Sequence, residues 1–96
     1  MKAMQIMSAL AQPTRWAVYR RLVDELPGGM TASDIAEAVG MSRNGMSPHF
    51  AILSAAGLLS SEKSGRTVTY RAETKPVEGL GEFLARAIEK GREGRG

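Results

Sequence analysis

The fold is decided by residues 31–57, which read TASDIAEAVGMSRNGMSPHFAILSAAG. Thr31 followed three residues later by Asp34 resembles a helix-capping box, and Gly40 is suited to end the short helix that follows. Ser42 is a good N-cap for a second helix, which Gly57 closes. The apolar face of this pair is spaced at three and four residues: Ile35, Ala36, Val39, Met46, His49, Phe50, Leu53 and Ala56. Two short helices joined by a glycine-containing turn predict a helix-turn-helix over residues 31–56.

Upstream, the spacing predicts two more helices. Residues 2–11 carry Met4, Met7 and Leu10 on one stripe. Pro13 fits the first position of the next helix, where its missing N–H is not needed, and the run Pro27, Gly28, Gly29 would end that helix. Both helices therefore precede the helix-turn-helix.

Downstream, the period changes from 3.6 to 2 over residues 58–72, which predicts a two-stranded hairpin. A turn at Ser64–Gly65 would place Leu59 opposite Tyr70 and Ser61 opposite Val68. A last amphipathic helix is predicted over residues 77–90, and the Gly-rich tail 91–96 is expected to fray. The order predicts a mainly α fold with a small β-hairpin, a winged helix-turn-helix filling the single domain 1–96, with a helical bundle as the alternative.

The composition limits the classes of function that this protein can have. The chain has 96 residues, a net charge of +3 and a pI near 9.7, which suits a polyanionic partner. It has no cysteine and one histidine, which excludes disulfides, a cysteine nucleophile and a zinc site built from Cys and His. No acid, base and nucleophile converge, so we do not expect an enzyme. No signal-peptide or membrane-spanning run is found, so we expect a cytoplasmic protein with no membrane partner.

The start of the second helix of the pair carries the candidate DNA-reading residues, because this end enters the major groove in a helix-turn-helix. Arg43 can contact guanine and Asn44 adenine, while Ser42 and Ser47 can hold phosphates. A solvated charge at Arg43, or turn chemistry at Asn44–Gly45, is the alternative.

Pro48 and His49 fit this segment less simply. Pro48 would break a hydrogen bond if the helix runs from Arg43, so we expect the helix to be kinked or to start late, at a Ser47 cap; its ring could also contact a thymine methyl. His49 is expected to point inward as a structural histidine, with a phosphate contact as the second possibility.

The hairpin tip offers a second contact surface. It combines charge with small side chains: Lys63, Ser64, Arg66 and Thr67. Such a tip can follow a phosphate backbone or enter a minor groove, although charge that only keeps the hairpin soluble is the alternative. Arg71 serves either the DNA backbone or a salt bridge.

The chain also resembles the arsenic-repressor (ArsR/SmtB) family of bacterial regulators. The resemblance covers nearly the whole chain and rests on these segments: Ala9–Trp16, Thr31–Val39, Ser42–Leu53 with Met46–Phe50, Ala56–Leu59, Gly65–Arg66 and Tyr70–Arg71. It implies a homodimeric repressor on operator DNA that an inducer releases.

This chain departs from the family's metal sensors. By the resemblance, Thr31 and Ser33 stand where metalloid sensors carry cysteines, and hydroxyls do not replace thiolates as soft ligands. The last helix offers no histidine, only glutamates: Glu78, Glu82, Glu89 and Glu93. We therefore expect no cofactor and none of the family's usual metal sites. The inducer stays open between a small organic molecule at the dimer interface, a hard cation held by carboxylates and no effector at all.

A small chain gains stability by association, and apolar stripes at both ends suggest a homodimer. The expected interface residues are Met4, Met7, Leu10, Leu80, Phe83, Leu84 and Ile88. The function we expect is a sequence-specific regulator, a repressor acting as a homodimer on an inverted-repeat operator in double-stranded DNA. The alternative is a winged-helix module that binds proteins instead.

Overall fold

The computed structural model describes residues 2–95, with the backbone alone for residues 93 and 95. In that range the chain forms five helices and three strands: α1 (Ala3–Leu10), α2 (Pro13–Asp24), β1 (Met30–Thr31), α3 (Ala32–Val39), α4 (Arg43–Ala55), β2 (Leu59–Ser64), β3 (Thr67–Ala72) and α5 (Lys75–Arg95). The predicted winged helix-turn-helix is confirmed, with one further strand.

The strand that sequence analysis missed is β1. It pairs antiparallel with β3, with Met30 opposite Tyr70 and Thr31 opposite Thr69, so the sheet order is β1-β3-β2. A Cβ at Gly29 would collide with the Tyr70 backbone carbonyl, so only glycine allows this close approach. The pairing anchors the hairpin, here called the wing, to the start of α3.

The wing has a different register from the predicted one. Its loop is Gly65–Arg66, and Leu59 lies opposite Ala72, Ser61 opposite Tyr70 and Lys63 opposite Val68. The predicted Ser64–Gly65 turn was therefore wrong by one residue, and the predicted pairing of β2 with β3 was wrong by two. Because the error is an even number, each side chain stays on its predicted face.

The ends of α3 and α4 follow the predicted capping chemistry. The Asp34 N–H donates to Thr31 Oγ1 at 3.1 Å, and the Gly45 N–H donates to Ser42 Oγ at 3.0 Å. Gly40 ends α3 in the left-handed conformation, with φ of 71°, which glycine adopts without strain. These caps set the turn between the two helices.

Pro48 lies inside α4, five residues after its first residue, Arg43. The hypothesis of a late start at a Ser47 cap is therefore wrong. The Ser42 cap starts the helix early, and Pro48 only removes the hydrogen bond that its N–H would have donated to the Asn44 carbonyl. The ring is exposed, so it meets no neighbouring element that would force the helix to end there.

The last helix is longer than predicted. It begins at Lys75, because Pro76 stands in the first turn where no N–H donor is needed, and it runs to Arg95. Residues 91–95, which belong to the tail expected to fray, continue this helix. Basic residues at this end, such as Lys90 and Arg92, interact favourably with the negative end of the helix dipole.

One apolar core holds the elements together. Its fully buried side chains come from α2, α3, α4 and the segment before β2, and they include Val18, Leu22, Ile35, Met46, Leu53 and Leu58. Leu80 is also buried, at 7% exposure, and Leu10 is partly buried against the core. These two expected interface residues therefore pack largely within the protomer.

Candidate nucleic-acid interface

The first turns of α4 are open to solvent. Arg43, Asn44, Ser47 and Pro48 are all exposed, and Met46 between them is buried. The buried Met46 fixes the rotation of the helix, so its polar neighbours point outward. Four candidate DNA-reading residues are thus available to a partner from one helix end.

Ser42 has a structural task as well as an exposed position. Its hydroxyl oxygen accepts the Gly45 N–H and so caps the helix. The hydroxyl proton remains available for donation to a phosphate oxygen. The N–H groups of Arg43 and Asn44 belong to the first turn, which has no intrahelical acceptors, and this end of the helix favours an anion.

His49 points inward, toward α2. Its Nδ1 lies 3.3 Å from Nη1 of Arg15. Since a guanidinium only donates, Nδ1 accepts and the proton of the neutral ring lies on Nε2. The half-buried position is the one expected for a structural histidine.

Arg15 joins three helices at this point. Besides meeting His49 of α4, its Nε donates to the Ala9 carbonyl at 2.7 Å and its Nη2 to the Ser8 carbonyl at 3.4 Å. Both carbonyls belong to the last turn of α1, and the Ser8 carbonyl also accepts the Ala11 N–H at 3.3 Å. Arg15 of α2 therefore caps α1 and holds it to the recognition helix, α4.

The wing is held to α4 by stacked aromatic rings. The rings of Phe50 and Tyr70 have centroids 4.3 Å apart and an interplanar angle of 19°. Phe50 comes from α4 and Tyr70 from β3, so the stack fixes the orientation of the wing relative to the recognition helix.

Arg43 and Arg66 open onto one small notch. The notch has a volume of about 130 Å³ and is also lined by Thr31, Ser33 and Thr67. It brings the start of α4, the wing loop and the start of α3 together, with two guanidinium groups and several hydroxyls. Such a set is suited to an oxyanion such as a phosphate.

Thr31 and Ser33 were not expected at this surface. Their position follows from the pairing of β1 with β3, and a two-residue strand is too short for a periodic sequence signal. Lys63 and Ser64 do not line the notch; they lie exposed on β2, opposite Val68 and Thr67 of its lining.

Arg71 forms a salt bridge. Its Nη1 lies 3.4 Å from Oε2 of Glu62 across the wing, and both side chains are exposed. Within the described part of the chain, neither Lys63 nor Arg66 forms an ion pair. Those two are therefore the wing charges best placed to meet a polyanion.

Comparison with known proteins agrees with this geometry. Residues 10–62 match the family described as a helix-turn-helix domain. The chain is 33% identical over 87 residues to the transcriptional repressor SdpR of Bacillus subtilis, covering 90% of this chain and 92% of that protein. Both matches place the chain among helix-turn-helix transcriptional regulators.

Solved structures agree with this family assignment. The crystal structure of an ArsR family transcriptional regulator superposes with a TM-score of 0.80 at 32% identity, covering 92% of this chain and 88% of that one. An ArsR-like regulator from Rhodococcus sp. RHA1 gives 0.82 at 27% identity, covering 95% and 83%. The chain belongs to the ArsR family of winged-helix transcriptional regulators.

Two further observations concern this ArsR chain. Among its described residues, no three His, Asp or Glu side chains come together as a metal would require. None of the helices described over residues 2–95 combines the length and the apolar character needed to cross a bilayer.

Proposed function

We propose that this protein is a homodimeric repressor that binds an inverted-repeat operator in double-stranded DNA. The observation that carries the proposal is the convergence of Arg43 of the recognition helix and Arg66 of the wing on one exposed notch. The net charge supports it, because residues 42–71 hold four basic residues and one acidic residue, while the remaining basic and acidic residues are equal in number.

The recognition helix supplies the base contacts in this proposal. Arg43 donates two hydrogen bonds to guanine O6 and N7, and Asn44 pairs with adenine N6 and N7. The exposed Pro48 ring lies against a thymine methyl. Ser42 and Ser47 bind phosphates, which fix the register of the helix in the groove.

The wing supplies contacts that do not depend on sequence. Lys63 and Arg66 attract phosphates, and Ser64 and Thr67 are small enough for a close approach to the backbone. His49 is left out of these contacts, because its Nδ1 is directed at Arg15. We assign it the task of holding the recognition helix against α2.

Dimerisation in this proposal uses the exposed apolar residues of α1 and α5, two helices that contact each other. These residues are Met4, Met7, Phe83, Leu84 and Ile88, all at least 37% exposed. A two-fold dimer places its recognition helices about one helical turn of DNA apart, roughly 34 Å, and so requires a palindromic operator.

Repression is proposed from the likeness to SdpR, which is named a transcriptional repressor. Binding at an operator in the bacterial cytoplasm would exclude other proteins from the same DNA. The proposed mechanism uses no cofactor. The operator becomes free when a small-molecule inducer releases the protein from the DNA or when the protein itself is lost.

Salt dependence tests DNA binding directly. With about six phosphate contacts per dimer, the logarithm of affinity should fall with the logarithm of salt concentration at a slope near −5. Gel-shift titration on random duplex at several salt concentrations measures this slope. A winged helix that only binds proteins would show no salt-dependent shift, and that result would end the proposal. Selection of bound genomic fragments then gives the operator and its half-site spacing.

Two substitutions in the wing test whether the wing contributes to this salt dependence. Lys63→Ala and Arg66→Ala each remove one phosphate contact per protomer and so two per dimer, so both should weaken binding to all sequences and reduce the magnitude of the slope by about 2. A slope equal to that of the wild type would remove the wing from the contact surface.

A further inference from the structure

A second cavity lies away from the nucleic-acid interface, between α2 and the start of α5. Its volume is about 380 Å³, and its wall is mainly apolar. Trp16, Tyr19 and Val23 of α2 face Val77 of α5, and Thr74 closes one side. Ligand cavities of proteins begin at roughly this size and have this mixture of apolar walls and few polar groups.

The walls are held in place by the fold. Tyr19 donates its hydroxyl hydrogen bond to the Glu73 carbonyl at 2.9 Å, which ties α2 to the segment between β3 and α5. Burial and the nearby carboxylates of Glu78 and Glu73 raise the pKa of Tyr19, so the phenol stays neutral. The cavity therefore has a preformed aromatic wall rather than one that a ligand must build.

The size of the cavity decides between a small molecule and a partner helix. One turn of an α-helix is a cylinder about 10 Å wide and 5.4 Å long, which is about 420 Å³. The cavity holds less than this, so it cannot enclose a helical turn of a second chain. A molecule of one or two fused aromatic rings fits the space.

The chemistry of the lining selects the class of ligand. Trp16 is 47% exposed and presents its ring to the cavity, where an aromatic ligand can stack or meet it edge to face. At the rim, the carboxylates of Asp24 and Glu78 outnumber the guanidinium of Arg20, which lies 6.0 Å from the centroid of the Trp16 ring. This balance disfavours anions.

We propose that this cavity is a binding site for a small uncharged aromatic molecule. Its ring lies between Trp16 and the two valines, Val23 and Val77, and a hydroxyl or amide group of the ligand faces the Thr74 side of the mouth. The site shares no residue with the proposed dimer stripe or with the DNA-reading surface, so its occupancy is measurable on the protein alone.

The test uses the tryptophan in the wall, which is the single tryptophan of the chain. The probes are 4-bromophenol, which is neutral at pH 7, and 4-bromobenzoate, which is its anionic counterpart. Bromine quenches tryptophan emission on contact. We expect saturable quenching by 4-bromophenol with a dissociation constant on the order of 1 mM, usual for so few atoms, and only linear collisional quenching by 4-bromobenzoate.

Two variants test whether 4-bromophenol binds in this cavity. Val23→Arg fills the cavity and should raise the dissociation constant for 4-bromophenol at least about tenfold. Ile52→Arg makes the same change on α4, at a residue of similar exposure that does not line the cavity, and should leave the constant unchanged. Saturation-transfer NMR on the probe protons gives a second measure, and circular dichroism checks that both variants are folded. Linear quenching by both probes, or equal binding by Val23→Arg, would overturn the proposal.

Discussion

Arg43 is the residue on which sequence discrimination should depend most. It begins the recognition helix, is exposed, and shares the notch with Arg66. We expect Arg43→Ala to weaken operator binding by about 1 to 3 kcal/mol and to relax preference at one base pair of each half-site. Gel shifts on the operator and on its single-base variants measure both effects.

The control for this prediction is Arg86→Ala on α5, which removes the same charge from an exposed helix position far along the chain from the notch. It should lower nonspecific affinity slightly and leave base preference intact. If Arg43→Ala keeps the operator preference of the wild type, Arg43 is a solvated surface charge and the assignment is wrong.

Tyr19 should give the folded protein a measurable pH dependence. Burial, with the charges of Glu78 and Glu73, raises its pKa above the ordinary value of 10.0. The unfolded chain therefore loses this proton at lower pH than the folded one, so the stabilisation is complete below about pH 10 and disappears as the pH rises through the folded-state pKa. We expect the free energy of unfolding to fall over this range.

Tyr19→Phe isolates the effect from the titration of other groups. At neutral pH the variant should lose about 0.5 to 1.5 kcal/mol, because the hydrogen bond to the Glu73 carbonyl is gone. Above pH 10 the difference from the wild type should shrink. Urea unfolding at pH 7, 9.5 and 10.5 measures it, and a constant difference across the series would contradict the raised pKa.

At the scale of single residues, the sequence predicts hydrogen bonds between near neighbours, such as helix caps, well. The caps at Thr31 and Ser42 were predicted because each involves a hydroxyl and an N–H three residues apart. The contact between Arg15 and His49 joins residues 34 apart, and nothing local in the sequence indicates it. The inward direction of His49 was predicted, but its partner required the fold.

At the scale of elements, one residue of the recognition helix lowers the stability of the protein. Pro48 removes the hydrogen bond to the Asn44 carbonyl inside α4, which usually costs about 3 kcal/mol. Its ring is exposed, so Pro48→Ala loses little packing and restores the bond. We expect the variant to be more stable by about 1 to 3 kcal/mol, measured by urea unfolding.

Ala51→Pro is the reciprocal control, since it places proline at another exposed position of the same helix. It should destabilise the protein by about 3 kcal/mol or more. A Pro48→Ala variant no more stable than the wild type would mean that α4 has already adapted to proline at this position.

The errors at the scale of elements have separate physical causes. Sequence periodicity needs several residues, so it found α3 and α4 but missed the two residues of β1. The predicted wing register was wrong by two residues, and periodicity could not reveal the error because a two-residue step keeps every side chain on the same face. The end of α5 was misjudged because glycine lowers helix propensity without preventing a helix.

For the whole molecule, the decisive feature is an apolar stripe that the protomer leaves uncovered. The chain measures 57 by 23 by 20 Å, and α5, with 21 residues, is about 31 Å long by its rise per residue. Every residue from position 81 to 92 is exposed, including Phe83, Leu84 and Ile88. A monomer rarely leaves such a row in water, which favours a second copy covering it.

Charge at the stripe should therefore dissociate the proposed dimer. Phe83→Glu and Ile88→Glu start from residues that are 46% and 59% exposed, so each variant should fold as a monomer. Burying a carboxylate against an apolar surface in the dimer costs several kcal/mol, enough to shift the equilibrium at micromolar concentration. Sedimentation equilibrium measures the mass, with Ile52→Glu on α4 as a control that should stay dimeric.

Loss of the dimer should in turn weaken operator binding more than binding to random duplex. A monomer still presents one recognition helix and one wing, but it cannot join two half-sites, so the specificity ratio should fall at least about a hundredfold while the residual affinity stays salt-dependent. If Phe83→Glu is monomeric and binds the operator as tightly as the wild type, the operator is read by single protomers. The uncovered stripe would then belong to a contact other than DNA recognition.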